Sequence, residues 1–202
     1  LETKHAAALR KVVIYLKHKK SKGTVLTPNP LKGLEVYVDA DFAGNWDPTE
    51  PENDADTARS RHGYVIKFKG CTVVCKSQLQ TEITLSSTEA EYTGLSYALR
   101  EAIPLIDLIN EINSFSDLGE TSSTVKCNVF EDNSGALETA TIHKYRPRTK
   151  HINCRLHHFR TYVNDGTISI KKISTHNQIA DILTKPLPNP QFKLLRKKIM
   201  RW

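Results

Sequence analysis

Four acidic residues stand where folding alone would favour an apolar or neutral side chain. Asp39 closes the run Val36-Tyr37-Val38 at the carboxyl end of an alternating, strand-like segment, and Asp41 shares its face. Asp132 closes Asn128–Glu131 just before Asn133-Ser134-Gly135 opens a helix. Glu91 shares the helical stripe 91, 95, 98, 102 with Leu95, Ala98 and Ala102, so its carboxylate leans toward the body of the fold, whereas Glu89 is rotated away. Asp181 lies near the start of a short helical segment beside Ile179, Ile182 and Leu183. Singly, each acid reads as strand-end solvation or as negative charge at a helix start. Together they suit another task. Two Mg²⁺ ions about 4 Å apart can ionise water and neutralise the leaving oxygen when a phosphodiester is hydrolysed without a protein nucleophile. Such ions need hard oxygen ligands, and the ligands must converge from different elements because one helix or strand cannot surround two ions.

The elements that must gather these acids are legible from periodicity. Residues 4–20 carry His5, Leu9, Val12, Val13 and Leu16 at helical spacing, with Gly23 as a stop. After the break at Pro28 and Pro30, residues 34–42 alternate as a strand. Residues 64–69 and 72–76 predict two more strands joined by a tight turn at Lys69-Gly70, so the first three strands are consecutive and antiparallel. From Ser86 the period changes to that of a helix, with Ser86, Ser87 and Thr88 as capping residues. Pro104 predicts a break or kink, with a second helix over 105–112. A strand at 125–130, a short helix at 134–140, a basic helix at 149–163, a strand at 167–174 and a short helix at 179–184 follow. In an open sheet of this kind the ligand crevice lies outside the carboxyl ends of parallel strands, and Asp39 and Asp132 meet there if the first and fourth strands are neighbours. The fold class is therefore α/β, a mixed sheet with helices on its faces.

Composition narrows the setting. The chain has 202 residues, 39% of them apolar and 25% charged, enough for a sizeable core and too apolar for disorder. No apolar run reaches the roughly 18 residues that would suggest a membrane span. The opening residues lack the apolar stretch and cleavage site of a signal peptide, and a start at Leu1 predicts a fragment of something longer. Cys71, Cys75, Cys127 and Cys154 are too sparse for a disulfide scaffold; they read as buried free thiols in a reducing, intracellular compartment, with Cys71 and Cys75 on one strand face. The net charge is +7 although residues 47–56 hold five acids and no base. Basic clusters at 17–22, 144–151, 171–172 and 196–201 shift the balance from a solvated face toward a polyanionic partner, nucleic acid.

At these residues the sequence resembles a known family. Val36-Tyr-Val-Asp39-Ala-Asp-Phe-Ala-Gly44, Leu85-Ser-Ser-Thr-Glu-Ala-Glu91-Tyr92, Glu131-Asp132-Asn133, Thr149-Lys-His-Ile152 and Ala180-Asp181-Ile-Leu-Thr-Lys-Pro186 are similar to the ribonuclease H domain of copia-type LTR-retrotransposon Pol polyproteins. The resemblance runs over nearly the whole chain. It implies a ribonuclease H-like fold, with a five-stranded mixed sheet flanked by helices, and an Mg²⁺-dependent endoribonuclease that cleaves the RNA strand of RNA–DNA hybrids. It implies Asp39, Glu91, Asp132 and Asp181 as catalytic, metal-binding acids for two Mg²⁺ ions, with Mn²⁺ as a substitute. Asn45, Ser87, Thr88 and Asn133 match substrate-contacting positions. His176, five residues before Asp181, is the counterpart of a histidine that aids product release in cellular members, on a shorter loop; a structural or solvent-exposed histidine is the other reading.

The resemblance also divides the chain. Residues 1–30 are similar to the end of a preceding reverse transcriptase, 31–186 to the nuclease domain, and 187–202 form a basic tail helix. The expected partners are the hybrid and the reverse transcriptase of the same polyprotein, with no membrane, in the cytoplasm within a virus-like particle or in the nucleus. Arg148, Lys150 and Arg155 carry the basic character that grips a hybrid backbone without reading sequence. His151, Cys154, His157 and His158 fit one helix face only in part and lack a second Cys pair, which disfavours zinc. The competing function is a connection module that binds the hybrid without cutting it; such modules lose the acids, and all four are present here.

Overall fold

The computed structural model describes residues 2–46, 55–115, 124–141 and 157–202. The predicted basic helix at 149–163 lies outside them except for its end, as do Arg148, Lys150, Arg155, His151, Cys154 and most of the acidic loop.

Helix α1 (Glu2–Lys19) precedes β1 (Leu34–Asp41), β2 (Arg61–Phe68) and β3 (Cys71–Leu79). Helix α2 (Ser87–Phe115), β4 (Cys127–Glu131), α3 (Ser134–Thr141), the short α4 (Arg160–Asn164), β5 (Ile168–Lys172), a 3₁₀ segment (Ile179–Leu183) and α5 (Asn189–Met200) complete the order. The five strands form one sheet in the order β3-β2-β1-β4-β5. β1–β2 and β2–β3 are antiparallel, whereas β1–β4 and β4–β5 are parallel. The expected mixed sheet and its antiparallel first three strands are therefore present, and β1 and β4 are neighbours at the centre.

Each sheet face buries its own core. One face packs Leu34, Val36, Val38, Tyr64, Ile66 and Val129 against Leu95, Ala98, Leu99 and Ala102 of α2, Ala136 and Ala140 of α3, and Phe159. The other packs Val65 against Ile179 of the 3₁₀ segment and Leu195 and Ile199 of α5. Parity explains the split: Val65 alternates with Tyr64 and Ile66 along β2 and must face the other way. Lys69 and Gly70, both at positive φ between the paired Phe68 and Cys71, make the two-residue hairpin that Lys69-Gly70 predicted.

Three expectations are corrected. Pro104 does not divide the helix, because α2 continues through it to Phe115. Pro104 is exposed, so the N–H hydrogen bond it denies to the Arg100 carbonyl is lost on the watery side, while buried Ala102 and Ile106 hold both halves on the sheet. Cys75 is exposed whereas Cys71 is buried. The β2–β3 register slips between Ile66 and Lys67, one extra residue on β3 reverses the parity, and the two thiols fall on opposite faces. Finally, β2 begins at Arg61, three residues before the alternation suggests, because Arg61, His62 and Gly63 pair with Asp41, Ala40 and Asp39.

Gly63 stands directly across from Asp39 and lets the 3₁₀ segment lie against the sheet. A Cβ there would sit 2.6 Å from Leu183 Cβ and 3.0 Å from Thr184 Cγ2. Gly63→Ala is expected to push this segment off the strand at a cost of about 1–3 kcal/mol, read as a lower melting temperature. An unchanged melting temperature would show that the segment has room to move.

Candidate metal centre

β1 and β4 pair only as far as Tyr37 and Phe130 and then diverge. The amide of buried Gln178 fills the fork, with Nε2 donating to Val38 O at 2.8 Å and to Phe130 O at 3.2 Å. Its Oε1 accepts from Ala180 N and starts the 3₁₀ segment. One side chain thus anchors both acid-bearing strand ends and the segment that carries Asp181.

Around this fork lie the carboxylates. Asp39 and Glu131 are fully buried, and Glu91 and Asp181 nearly so. Glu91 comes from the second turn of α2, whose start is fixed by Ser86 Oγ accepting from Glu89 N and by Glu89 accepting from Leu85 N. Its Oε2 accepts from Ala40 N at 2.7 Å, beyond the last β1–β4 pair. Asp132 Oδ2 accepts from Thr175 Oγ1 at 2.8 Å. Asp39, Glu91 and Asp132 each offer a ligand atom within 4.8 Å of the others. Asp181 is outside that mutual group and is linked to it through Lys185, whose Nζ lies 2.8 Å from Asp39 Oδ1 and 3.2 Å from Asp181 Oδ1. The Thr184 hydroxyl donates to the other Asp39 oxygen.

Such crowding of anions has an electrostatic cost. Burial, then the charges of Glu131, Asp39 and Asp132, push Glu91 up to about 10. Burial, with Asp132 and Asp39, pushes Glu131 up to about 8 against the lowering effect of the Asn133 N–H it accepts from. Burial and Asp39 raise Asp181 to about 6 despite Lys185. For Lys185, burial works against the charge, and Asp39 and Asp181 outweigh it and raise its pKa. Oxygen donors converging from β1, β4 and α2 with more negative charge than one ammonium balances form the donor set of a hard divalent cation. Asp39, Glu91 and Asp132 are the residues that fit one.

The remaining predicted positions surround this centre unevenly. His176 is exposed in the 3₁₀ turn Thr175–Asn177, next to the threonine bound to Asp132. Asn133 Oδ1 accepts from Gly135 N and Ala136 N and so caps α3. Ser87 and Thr88 open α2, Ser87 exposed and Thr88 half-buried against Gly135, while Asn45 is exposed in the turn after β1. Lys172, from the edge strand β5, donates to Ser134 Oγ at the same end of the sheet.

Sequence reasoning missed Glu131, Gln178, Thr184 and Lys185 as members of the centre. Glu131 had a readable signal, because it continues the inward alternation of Cys127 and Val129. Lys185 had one too, four residues from Asp181 on a helical turn. Gln178 and Thr184 had none, since their partners are 140 and 145 residues away.

No protein-family model matches the chain. It is 34% identical over 166 residues, 82% of its length, to the retrovirus-related Pol polyprotein from transposon TNT 1-94 of Nicotiana tabacum, of which it covers 11%. It is 30% identical over 195 residues, 96% of its length, to the corresponding polyprotein from transposon RE1 of Arabidopsis thaliana, of which it covers 12%. The chain thus spans about a tenth of the length of these relatives. Among solved structures it is similar to an N-terminal RNase H domain from Mycobacterium tuberculosis, with a TM-score of 0.48 and 15% identity over 81% of this chain and 96% of that one.

Proposed function

We propose that this chain, a homologue of the retrovirus-related Pol polyproteins of plant transposons with a ribonuclease H-like α/β fold, is their hybrid-specific nuclease, cutting the RNA strand of RNA–DNA duplexes with two Mg²⁺ ions. The observation that carries this reading is the convergence of Asp39, Glu91 and Asp132 at the carboxyl ends of the central parallel strands. Bound divalent ions supply a hydroxide at neutral pH and neutralise the leaving oxygen.

The chain's own residues do the rest. Asp39, Glu91 and Asp132 hold the ions, and Asp181 completes the set. Glu91 is held by the buried Ala40 amide, and the half-buried Asp132 is oriented by the Thr175 hydroxyl. Ser87, Thr88 and Asn45, at the exposed ends of elements around the centre, present hydroxyl and amide groups to the backbone and the 2′-hydroxyl, the feature that separates RNA from DNA. His176 follows Thr175, the residue hydrogen-bonded to Asp132, and from there would meet the departing phosphate. Arg148, Lys150 and Arg155 add phosphate contacts that lengthen residence without reading bases. The reverse transcriptase region of the same polyprotein would deliver the hybrid.

The test is a labelled RNA–DNA hybrid incubated with the chain with and without Mg²⁺, beside single-stranded RNA and duplex DNA. A longer chain carrying residues upstream of 1 serves as a positive control. The expected result is EDTA-sensitive loss of hybridised RNA alone. Tight hybrid binding without cleavage in Mg²⁺ or Mn²⁺ would instead identify a non-catalytic connection module, and equal cutting of duplex DNA would remove the substrate assignment.

A further inference from the structure

Among the described residues, Lys185 is the one basic side chain ion-paired to the four acids, and it meets two of them at once. Its position is asymmetric. The side chains of Asp39 and Asp181 are 0% and 7% exposed, whereas that of Lys185 is 34% exposed. The ammonium thus meets two buried carboxylates from a side chain that is itself a third exposed. Both oxygens of Asp39 are occupied, Oδ2 by the neutral Thr184 hydroxyl and Oδ1 by the full charge of Lys185.

A divalent ion held by Asp39 needs an oxygen lone pair at about 2.1 Å. An ammonium at 2.8 Å from Oδ1 takes up one acceptor site of that oxygen and repels the incoming charge. Asp181, the one predicted ligand outside the mutual group, is the second acid whose oxygen Lys185 binds. We propose that Lys185 is a tethered counter-ion: it balances the carboxylate cluster in the metal-free protein, swings to solvent as divalent ions enter, and thereby releases Asp181 to the site. This positioning role rests on the metal-centre reading above. A lysine suits it better than an arginine would, being a compact charge on a flexible stem with no planar fork to lock it in place. The site is consequently an exchange of cations, in which the metal concentration needed for loading is set partly by a side chain of the chain itself.

The test uses the 202-residue chain without nucleic acid. Mg²⁺ is titrated calorimetrically into wild type, Lys185→Met, Lys185→Arg and Asp132→Asn, and each is melted in EDTA. In parallel, the side-chain ammonium signal of Lys185 is followed by NMR in ¹⁵N-lysine-labelled wild type as Mg²⁺ is added. Lys185→Met is expected to melt lower in EDTA yet bind Mg²⁺ about tenfold more tightly, since one competing charge is gone. Lys185→Arg keeps the EDTA melting temperature near that of wild type, and Asp132→Asn loses the binding. The wild-type ammonium signal shifts as the ion binds. Unchanged or weaker Mg²⁺ affinity in Lys185→Met, or a lysine signal indifferent to bound Mg²⁺, would overturn the exchange while leaving the metal centre standing. The NMR result decides alone if Lys185→Met does not fold. Wild type that binds no Mg²⁺ at millimolar concentration would sink the metal centre and the exchange with it.

Discussion

Asp132→Asn lowers cleavage of an RNA–DNA hybrid by about three or more powers of ten and leaves the fold intact. The side chain is half-buried just past the end of β4, and its one protein partner in the centre is the Thr175 hydroxyl. An asparagine oxygen can accept that bond equally well, so the substitution removes charge and little else. Outside the core such changes stay within about 0.5 kcal/mol. Loss of a ligand to an ion that both makes the nucleophile and steadies the leaving group weakens the hold on that ion and removes the transition-state stabilisation it would supply. Single-turnover rates and melting curves together check this. Cleavage near the wild-type rate would remove Asp132 from the centre, and a collapse in melting temperature would make it a structural acid.

Glu91→Gln separates stability from activity in the opposite sense. In the metal-free protein Glu91 is buried among Glu131, Asp39 and Asp132, and its pKa is raised from 4.5 to about 10, while Glu131 is raised from 4.5 to about 8. A carboxyl whose folded pKa lies above its unfolded one favours the native state fully below the unfolded value and loses that contribution as pH rises through the folded value. The metal-free fold is therefore expected to weaken steadily from about pH 4.5, through 8 for Glu131 and on to 10 for Glu91. A glutamine cannot ionise, and its oxygen can still accept from Ala40 N. At pH 8 in EDTA, Glu91→Gln is thus more stable than wild type by roughly a few kcal/mol, the gain fading toward pH 4, while hybrid cleavage falls by about two or more powers of ten. Denaturant melts across that pH range provide the measurement. A variant less stable than wild type at pH 8 would mean that the carboxylate is wanted as a charged acceptor.

What was legible depended on how local the physics is. β1 is visible because Val36 and Val38 alternate with half-buried Glu35 and Tyr37, and Asp39 stood out as an acid closing that run at its carboxyl end. Glu91 could be placed by its stripe with Leu95, Ala98 and Ala102, all buried on α2. The first three residues of β2 were missed because Arg61, His62 and Gly63 carry no strand-like character; they are strand through their pairing with β1 on one side and β3 on the other. Pro104 misled because a local rule was outvoted by burial on either side of it, and the parity of Cys75 because one bulged residue is invisible in an alternating segment. The hidden part of the centre is that made by long-range partners. Thr184 reaches Asp39 across 145 residues, and nothing in its neighbours announces that contact.

Gln178, Asp181, Thr184 and Lys185 fall within eight consecutive residues. The first ties the ends of the two central strands together, and the others stand on one side of the carboxylate cluster. An insertion anywhere inside that octet would displace the Gln178 anchor relative to the residues that meet Asp39, whereas a change of length outside it leaves their spacing along the chain unaltered. The stretch is a single cassette, in which one change of length alters the strand anchor and the Asp39 contacts in the same genetic event.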